Sequence, residues 1–246
     1  MEKIAVITGA TAGMGLSVAE ELGKDGYTVV ISGIIEEQAK EAVALLEGQG
    51  VKCEYHTCNS MKEEDVDKFI KAVGEKYGKI DVLVNNVGGL GGRMRFEEMT
   101  TEFFRNVMAL NLDSVFFASR AAIPFLKKSE MPSIINYASI ASYNAGGPGA
   151  GIYGTSKGAV LTMTRALAKD LAEYNIRVNA VSPGTIDTAF HSATDRSIVD
   201  GWKANILMNR LGEPSEVSKV IRFLVSSDAS FLTGEVIQIN GGQDFR

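Results

Sequence analysis

The sequence predicts a single α/β domain in which about seven parallel strands form a doubly wound sheet with helices on both faces. Short β-branched runs alternate with longer amphipathic segments along all 246 residues. The runs at 80–85 and 133–138 are mostly apolar, which is typical of strands covered on both faces. The sequence contains no repeats, low-complexity tracts or Pro-rich linkers, so we expect one domain over 1–246.

The elements alternate regularly from the N-terminus. The first strand is the run Ile4-Ala5-Val6-Ile7, and each later strand is a comparable run of apolar residues. Strands are predicted near 3–8, 28–32, 51–57, 80–85, 133–138, 176–182 and 235–239, and helices near 13–24, 36–48, 62–76, 101–128, 152–174 and 214–226.

Two longer segments interrupt this alternation. Residues 86–96 are rich in glycine, and residues 186–210 mix polar, glycine and aromatic residues without a clear period. Both follow predicted strands, and ligands bind at the carboxyl ends of strands in such sheets. Loops of this length are usually functional lids or else disordered; we expect 86–96 to lie over a cavity and 186–210 to form a substrate lid.

Charge and hydropathy exclude two classes of partner. The chain has 25 Lys and Arg against 30 Asp and Glu, a net charge of −5, which disfavours nucleic acid because phosphate binding leaves a basic footprint. No apolar run is long enough to span a membrane. Met1-Glu2-Lys3 leads directly into the first strand without a signal-type segment. We therefore expect a cytoplasmic protein.

The cysteine content gives no sign of a disulfide or a metal site. Cys53 and Cys58 are the only cysteines, and His56 lies between them. Two thiols and one imidazole lack a fourth ligand for zinc, so we expect reduced, structural cysteines.

A glycine-rich turn follows the first strand. It reads Thr8-Gly9-Ala10-Thr11-Ala12-Gly13-Met14-Gly15 and leads into a predicted helix. Gly9 allows the turn, Gly13 lets backbone approach a pyrophosphate, and Gly15 allows close packing of helix and strand. The pyrophosphate would lie at the helix N-terminus, where N–H groups point at it. In this position the motif indicates nucleotide binding.

Tyr153 and Lys157 are four residues apart in a predicted helix, so both side chains lie on one face. A free phenol has a pKa near ~10. A neighbouring ammonium and a cationic nicotinamide ring are expected to lower it, so that Tyr153 exchanges a proton with a substrate oxygen. Ser139 ends the preceding strand and can hydrogen-bond the same oxygen. A Ser there alone more often caps backbone; the combination favours catalysis.

With these motifs in order, the chain resembles the short-chain dehydrogenase/reductase family over nearly its whole length. Thr-Gly-x3-Gly-x-Gly matches 8–15, and the strand exit Asn-Asn-Ala-Gly appears as Asn85-Asn86-Val87-Gly88. The family's helix Asn matches Asn111, its Ser and Tyr-x3-Lys match Ser139, Tyr153 and Lys157, and Pro-Gly-x-Ile-x-Thr matches 183–188. The resemblance implies a Rossmann-like fold and an oxidoreductase that uses a nicotinamide cofactor.

The resemblance also implies a role for each matching residue. Tyr153 would be the acid/base, Ser139 would polarise the carbonyl, Lys157 would bind the nicotinamide ribose, and Asn111 would hold a water that relays protons. The backbone of Ile186 and the side chain of Thr188 would bind the carboxamide. The cofactor residues implied are Gly9, Thr11, Gly13, Met14, Gly15, Ser32, Gly33, Ile34, Asn59, Asn86, Gly88, Tyr153, Lys157, Pro183, Gly184, Ile186 and Thr188.

Two departures from the family pattern concern the adenosine side. Val87 replaces the usual Ala, and the larger side chain is expected to crowd that side. Asn59 stands where the family often has Asp, although its carbonyl oxygen can still accept a hydrogen bond from adenine.

The end of the second strand favours NAD(H) over NADP(H). Residues 31–37 offer neither the Asp that pairs with ribose hydroxyls nor the Arg that meets a 2′-phosphate. Ala12 supplies no cation, and Glu36 and Glu37 disfavour a phosphate. Against this, Ser32 can donate to a phosphate, and Gly33 would leave room for it.

Local resemblance to reductases of alginate catabolism suggests a substrate. It rests on 85–93, 149–153, 184–191 and 240–243, and it implies reduction of 4-deoxy-5-hexoseulose uronate to 2-keto-3-deoxygluconate. Arg93 could clamp the carboxylate and His191 could bind hydroxyls. For Arg93 a solvated loop position is an equally good interpretation, and His191 alone is more often plain surface.

Two alternatives stay open from the sequence. A 3-oxoacyl-thioester reductase shares every core motif, although a net charge of −5 does not suit an acidic carrier protein. A catalytically inactive nucleotide sensor would not need Tyr153. For the uronate reductase and the thioester reductase alike, we expect a homotetramer. The prediction rests on the apolar helices near 101–128 and 152–174 and on the resemblance.

Overall fold

Seven parallel strands form one sheet in the order β3-β2-β1-β4-β5-β6-β7. In this computed structural model, which describes residues 2–188 and 196–245, the strands are β1 Lys3–Ile7, β2 Tyr27–Gly33, β3 Cys53–Thr57, β4 Val82–Asn85, β5 Ser133–Tyr137, β6 Arg177–Pro183 and β7 Val236–Ile239. The predicted doubly wound sheet is therefore confirmed.

Helices cover both faces of the sheet. They are α1 Gly13–Lys24, α2 Glu36–Gly48, α3 Glu63–Tyr77, α4 Thr101–Met108, α5 Ser114–Leu126, α6 Ala141–Asn144, α7 Gly151–Asp170, α8 Arg196–Ala204 and α9 Pro214–Val225. Buried residues of α1, α2 and α9 form one apolar cluster with the sheet, and those of α3, α5 and α7 form a second cluster on its other face.

Alternate side chains of β1 supply both clusters. Ala5 and Ile7 lie in the first, and Ile4 and Val6 lie in the second, all at most 1% exposed. This two-sided burial explains why the strands are continuous apolar runs rather than alternating ones. Each fully buried aliphatic side chain stabilises the fold by about 1.5–3 kcal/mol.

The helix predicted over 101–128 is found over 101–126, but it is not α-helical throughout. A π-helix at Ala109–Asp113 separates α4 from α5. Within it, the Asn111 side chain donates to the carbonyls of Val107 and Gly89 at 3.0 and 2.9 Å. Hydrophobic periodicity does not register one inserted residue, so the sequence pattern conceals this interruption.

Two other predicted bounds also change. The helix expected over 152–174 is α7, which ends at Asp170 and is followed by a 3₁₀ turn at Ala172–Tyr174 and by Asn175 with φ of 56°. The segment 186–210, expected to be irregular, contains α8. His191 lies outside the described residues.

The strand order determines where a ligand fits. The chain leaves β1 toward β2 and β3 on one side, and β4 to β7 continue on the other. A crevice opens at such a reversal, beyond the carboxyl ends of the strands. The loops after β1, β4, β5 and β6 all emerge at that edge, and they carry the motifs identified in the sequence.

Both cysteines are free thiols, as expected. Burial raises the pKa of Cys58 to about 11, which keeps it protonated and unreactive. Among residues 2–188 and 196–245, no group of His, Cys, Asp or Glu is arranged to hold a metal ion. A search of the same residues finds no helix long and apolar enough to cross a membrane.

Candidate active site

The phosphate loop presents free N–H groups to the crevice. Helix α1 begins after Ala12, which has no side chain to cap the first turn. Gly13 has φ of 58°, and the nearest atom that a Cβ there would meet among residues 2–188 and 196–245 is the Thr188 methyl at 3.7 Å. Backbone donors and an open approach are what an anion needs at a helix N-terminus.

Asn86 connects this loop to β4. Its Nδ2 donates to the carbonyls of Thr8 and Gly9 at 3.0 and 2.8 Å. A Cβ on Gly15 would lie only 2.6 Å from that nitrogen, which explains the third glycine. The side chain of Asn86 is thus hydrogen-bonded to the phosphate loop. Val87 Cγ2 lies on the same side of Gly9.

The end of β2 is more closed than the sequence suggested. Ser32 is fully buried and its hydroxyl accepts the Gly9 N–H at 3.4 Å, so it lies behind the loop rather than in the crevice. The Thr11 methyl fills the space beside Gly33, where a Cβ would approach it to 2.7 Å. Tyr55 donates from its hydroxyl to the Gly33 carbonyl at 3.2 Å. Ile34 is 67% exposed at this corner.

Asn59 follows β3 at the same edge. Its side-chain oxygen accepts the Met61 N–H at 3.1 Å, so the acceptor expected to meet adenine already has a local donor. Cys58, next to it, donates its N–H to the Gly33 carbonyl.

Ser139 and Tyr153 come together at the mouth of the crevice. Ser139 follows β5, and its hydroxyl oxygen accepts the Ala141 N–H at 3.1 Å, which orients the group. A hydrogen bond with Ser139 lowers the pKa of Tyr153, but burial has the larger effect and raises it. The expected lowering is therefore not seen in the chain alone, because the predicted ammonium is directed elsewhere.

That ammonium belongs to Lys157, which is only 3% exposed. Its Nζ donates to the carbonyl of Tyr137 at 2.7 Å. Burial lowers the pKa of Lys157 to about 8. A primary ammonium has three donor hydrogens, and Tyr137 takes one of them.

Asn111 and Lys157 both flank Gly88. A Cβ at Gly88 would lie 2.7 Å from Lys157 Nζ and 2.8 Å from Asn111 Oδ1, so only glycine fits between them. Asn111 Oδ1 accepts the Gly89 N–H at 2.9 Å, and its Nδ2 donates back to the Gly89 carbonyl. The side chain of Asn111 therefore holds the β4 exit against the π-helix.

The segment after β6 forms the other wall. Gly184 donates its N–H to Ile239, and a Cβ on it would meet Asn240 and Gln243 within 2.9 Å. Pro183 ends β6 on the sheet itself, and Ile186 is buried against Gly212. Thr188 is the last described residue before the gap at 189–195, and it faces Gly13 across the crevice.

Arg93 is exposed on the loop after β4 and has a protein partner. Its Nη1 donates to the carbonyl of Pro148 at 3.0 Å. The next residue, Met94, donates its N–H to the Gly149 carbonyl at 3.0 Å. Together these bonds join the Gly-rich loop to the segment that leads into α7 and Tyr153.

The residues present fit a dinucleotide cofactor. The open N-terminus of α1 suits a pyrophosphate, and Met14 lies beside it in the first turn. Lys157 is nearly buried, and its ammonium uses one donor hydrogen on the Tyr137 carbonyl, so the others can bind the hydroxyls of a ribose. Such a buried ammonium costs free energy unless a ligand shares it, which supports a binding role.

Sequence reasoning missed three contributors to this arrangement. Tyr137 supplies a backbone carbonyl, Gly89 binds Asn111, and Tyr55 reaches the end of β2 from the neighbouring strand. Backbone groups leave no signal in a sequence. For Tyr55, the parallel pairing of β3 with β2 sets it opposite Ile31, two residues before Gly33, so the sequence alone indicated only that its long side chain lies near the end of β2.

Comparisons with known proteins identify the family of the chain. A family model described as enoyl-(acyl carrier protein) reductase matches residues 9–244. A 3-oxoacyl-(acyl-carrier-protein) reductase from Aquifex aeolicus is 35% identical over 241 residues, which cover 98% of this chain and 96% of the relative. A solved short-chain dehydrogenase/reductase from Brucella melitensis, also named glucose/ribitol dehydrogenase, is 35% identical over 100% of both chains, with a TM-score of 0.92.

A further solved structure carries a more specific description. It is an NADH-dependent reductase responsible for alginate metabolism, 30% identical to this chain, with a TM-score of 0.91 over 100% of this chain and 98% of that one. Because these matches run the length of the chain and agree with the motifs in order, we conclude that the protein belongs to the short-chain dehydrogenase/reductase family and is an NAD(P)-dependent oxidoreductase.

Proposed function

We propose that the protein reduces a small, acidic, oxidised sugar with NADH, and that 4-deoxy-5-hexoseulose uronate, reduced to 2-keto-3-deoxygluconate, is its substrate. The observation that carries the proposal is the position of Arg93, whose guanidinium is exposed on a loop bonded to the segment leading into Tyr153. A planar guanidinium binds a carboxylate through two parallel hydrogen bonds.

In this proposal each catalytic side chain has one role. Bound NADH supplies the hydride. Tyr153 donates its phenolic proton to the carbonyl oxygen, and the burial that raises its pKa keeps that proton in place at neutral pH. Ser139, oriented by Ala141, donates a hydrogen bond to the same oxygen. Lys157 binds the ribose, and Asn111 keeps the Gly88 backbone beside it.

The preference for NAD(H) is supported by the closed end of β2. Ser32 is buried and the Thr11 methyl occupies the space beside Gly33, so neither the Ser32 hydroxyl nor an open space at Gly33 is available to a 2′-phosphate. Glu36 and Glu37 follow in the first turn of α2, and their charge opposes a phosphate. The cofactor residues inferred from the family pattern are retained in this proposal, with Ser32 acting from behind the loop.

The acidic sugar is supported by two independent considerations. Arg93 is a cation that can approach substrate from the β4 side of the crevice. The solved reductase responsible for alginate metabolism shares the fold and 30% of the sequence. The lid over 186–210, His191 included, belongs to the proposal as the segment that closes over the sugar.

The test compares Arg93→Ala with Arg95→Ala, an exposed Arg two residues further along the same loop. A charge-assisted contact is worth about 1.5–3 kcal/mol, so Arg93→Ala should raise KM for the uronate by roughly one to two orders of magnitude. Arg95→Ala should not. A neutral carbonyl substrate of similar size should be reduced equally by both variants. Equal losses on the two substrates, or no loss on either, remove Arg93 from the substrate site.

A 3-oxoacyl-thioester reductase is the second candidate, and the relative from Aquifex aeolicus favours it. The two candidates are separated by assaying the wild-type enzyme on the uronate and on a 3-oxoacyl thioester, each with NADH and NADPH. Turnover of the thioester without turnover of the uronate transfers the assignment to this second candidate.

A further inference from the structure

Four polar side chains form a continuous chain of hydrogen bonds beneath the catalytic residues. Asn85, at the end of β4, donates from Nδ2 to Ser119 of α5 at 3.0 Å and to Oδ1 of Asn136 on β5 at 2.8 Å. Asn136 donates in turn to the hydroxyl of Thr164 on α7 at 3.0 Å. The Thr164 hydroxyl donates a hydrogen bond to the Val160 carbonyl at 2.8 Å. An amide nitrogen can only donate and an amide oxygen can only accept, so these bonds fix which way the side-chain amides of Asn85 and Asn136 are turned.

The surroundings of these side chains are apolar. All four are at most 2% exposed. Their layer between sheet and helices otherwise contains residues such as Leu83, Ala118, Ala122, Ile134 and Ala168. Oδ1 of Asn85 is buried and has no hydrogen-bond partner among the described residues. A buried polar network with an unpaired atom stabilises a fold no more than apolar side chains of the same size would. Stability therefore does not explain why these four polar residues are here.

The chain connects the elements that carry the catalytic groups. Thr164 follows Lys157 by two helical turns, so both lie on the face of α7 that contacts β5. Lys157 bonds the carbonyl of Tyr137 while Thr164 bonds the side chain of Asn136, the preceding residue of the same strand. Helix α7 is therefore attached to β5 at two points about 10 Å apart along its axis.

The catalytic groups lie on the two elements that this attachment joins. Tyr153 lies on α7 and Ser139 is the second residue after β5, so a sliding of α7 along β5 would change their separation. On the other side, Asn85 and Asn136 are register partners in the sheet, and Asn85 extends the connection to Ser119 on α5, the helix that continues from the π-helix of Asn111. An all-apolar layer of Ala, Leu and Ile resists such sliding weakly, because apolar contacts are not directional.

We propose that Asn136 is a positioning residue, which through Asn85 and Thr164 sets the register of α7 and α5 against the central strands and thereby the geometry of Ser139, Tyr153 and Lys157. The proposal depends on the oxidoreductase activity of the family and not on the identity of the substrate.

The experiment removes the chain of hydrogen bonds while leaving nothing unpaired. The variant Asn85→Leu/Ser119→Ala/Asn136→Leu/Thr164→Val is compared with wild type on the carbonyl compound that the wild type reduces fastest in a panel. We expect thermal stability at or above that of Asn136→Leu alone, since no buried donor is left unsatisfied. We expect kcat to fall by about tenfold, since displacements well below ~1 Å at the reacting atoms have effects of this size. NADH affinity should change by less than about threefold.

Controls separate positioning from general packing. Ile134→Val lies on the same strand face two residues earlier and should lower stability without lowering kcat. Thr164→Val keeps shape and loses only the hydroxyl, and Thr164→Ser restores the hydroxyl, so kcat should fall in the first and recover in the second. These two single variants also serve if the fourfold variant does not fold. A kcat within about twofold of wild type in the fourfold variant or in Thr164→Val overturns the proposal.

Discussion

Burial affects the acid/base properties of Tyr153 and Lys157 in opposite directions, although both lie in the first two turns of α7. It raises the pKa of the phenol and lowers that of the ammonium to about 8. Both shifts favour the uncharged form, which is the expected effect of removing water. The site is thus prepared to hold a proton on Tyr153 and to release one from Lys157.

Removing the Tyr153 hydroxyl should abolish turnover. Tyr153→Phe keeps the ring and its packing, so NADH affinity, measured by fluorescence titration, should stay within about twofold while kcat falls by roughly two to four orders of magnitude. Tyr174→Phe, a surface change at the end of the same helical region, is the control. Substantial residual activity in Tyr153→Phe contradicts its assignment as acid/base.

Lys157→Met should make the cofactor-free protein more stable at pH 7. The pKa of Lys157 is about 8 in the folded chain, against 10.5 for an ordinary lysine. Between these values the unfolded chain binds more protons, so the free energy of unfolding of the wild type rises with pH through that window. Below pH 8 the cost of burying the charge is fully present. The variant avoids this cost, which is on the order of 1–3 kcal/mol.

The measurement is urea unfolding of both proteins at pH 7 and pH 10. The advantage of Lys157→Met should shrink as the pH rises, whereas Lys169→Met, an exposed position on the same helix, should follow the wild type throughout. A constant difference between wild type and Lys157→Met at the two pH values would show that burial of the charge is not the cause.

At the scale of elements, we expect the corner between β2 and α2 to determine the cofactor preference. Ile34→Arg should improve use of NADPH by about tenfold in kcat/KM, because a guanidinium there can pair with the 2′-phosphate. Ile34 is 67% exposed, so little packing is lost. Ile35→Arg, the neighbouring change with the same charge, is the control. A wild-type enzyme that already prefers NADPH strongly contradicts the interpretation of residues 32–37.

The elements also show where sequence reasoning succeeded and where it failed. Helices α1 and α2 begin and end where predicted, because glycine turns and amphipathic periods delimit them. The π-helix at Ala109–Asp113 was missed, since it arises from a side chain that bonds a distant loop. The closure beside Gly33 was missed for a similar reason, because the contact with Thr11 joins two separate strand ends. Local patterns predict elements, while contacts between elements need the fold.

At the scale of the whole molecule, exposed apolar side chains on α5 favour assembly. We expect a homotetramer, in which Phe116, 44% exposed, is covered by a second copy. Sedimentation at micromolar concentration should give four chains, and Phe116→Glu should give smaller species. Leu45→Glu, at 45% exposure on α2, is the matched control and should stay assembled. A wild-type monomer under these conditions contradicts the expectation.

The pairing of β1 with β4 has a consequence for how the chain folds. β1 and β2 are joined by one helix, so that half of the sheet can form from neighbouring segments. The contact between Ile4 and Asp81, by contrast, joins groups 77 residues apart in sequence. Closing so long a loop costs entropy before any contact compensates for it, and non-local pairing of this kind slows folding. During synthesis β1 therefore keeps one unpaired edge until Val82 has left the ribosome, and an unpaired strand edge favours aggregation.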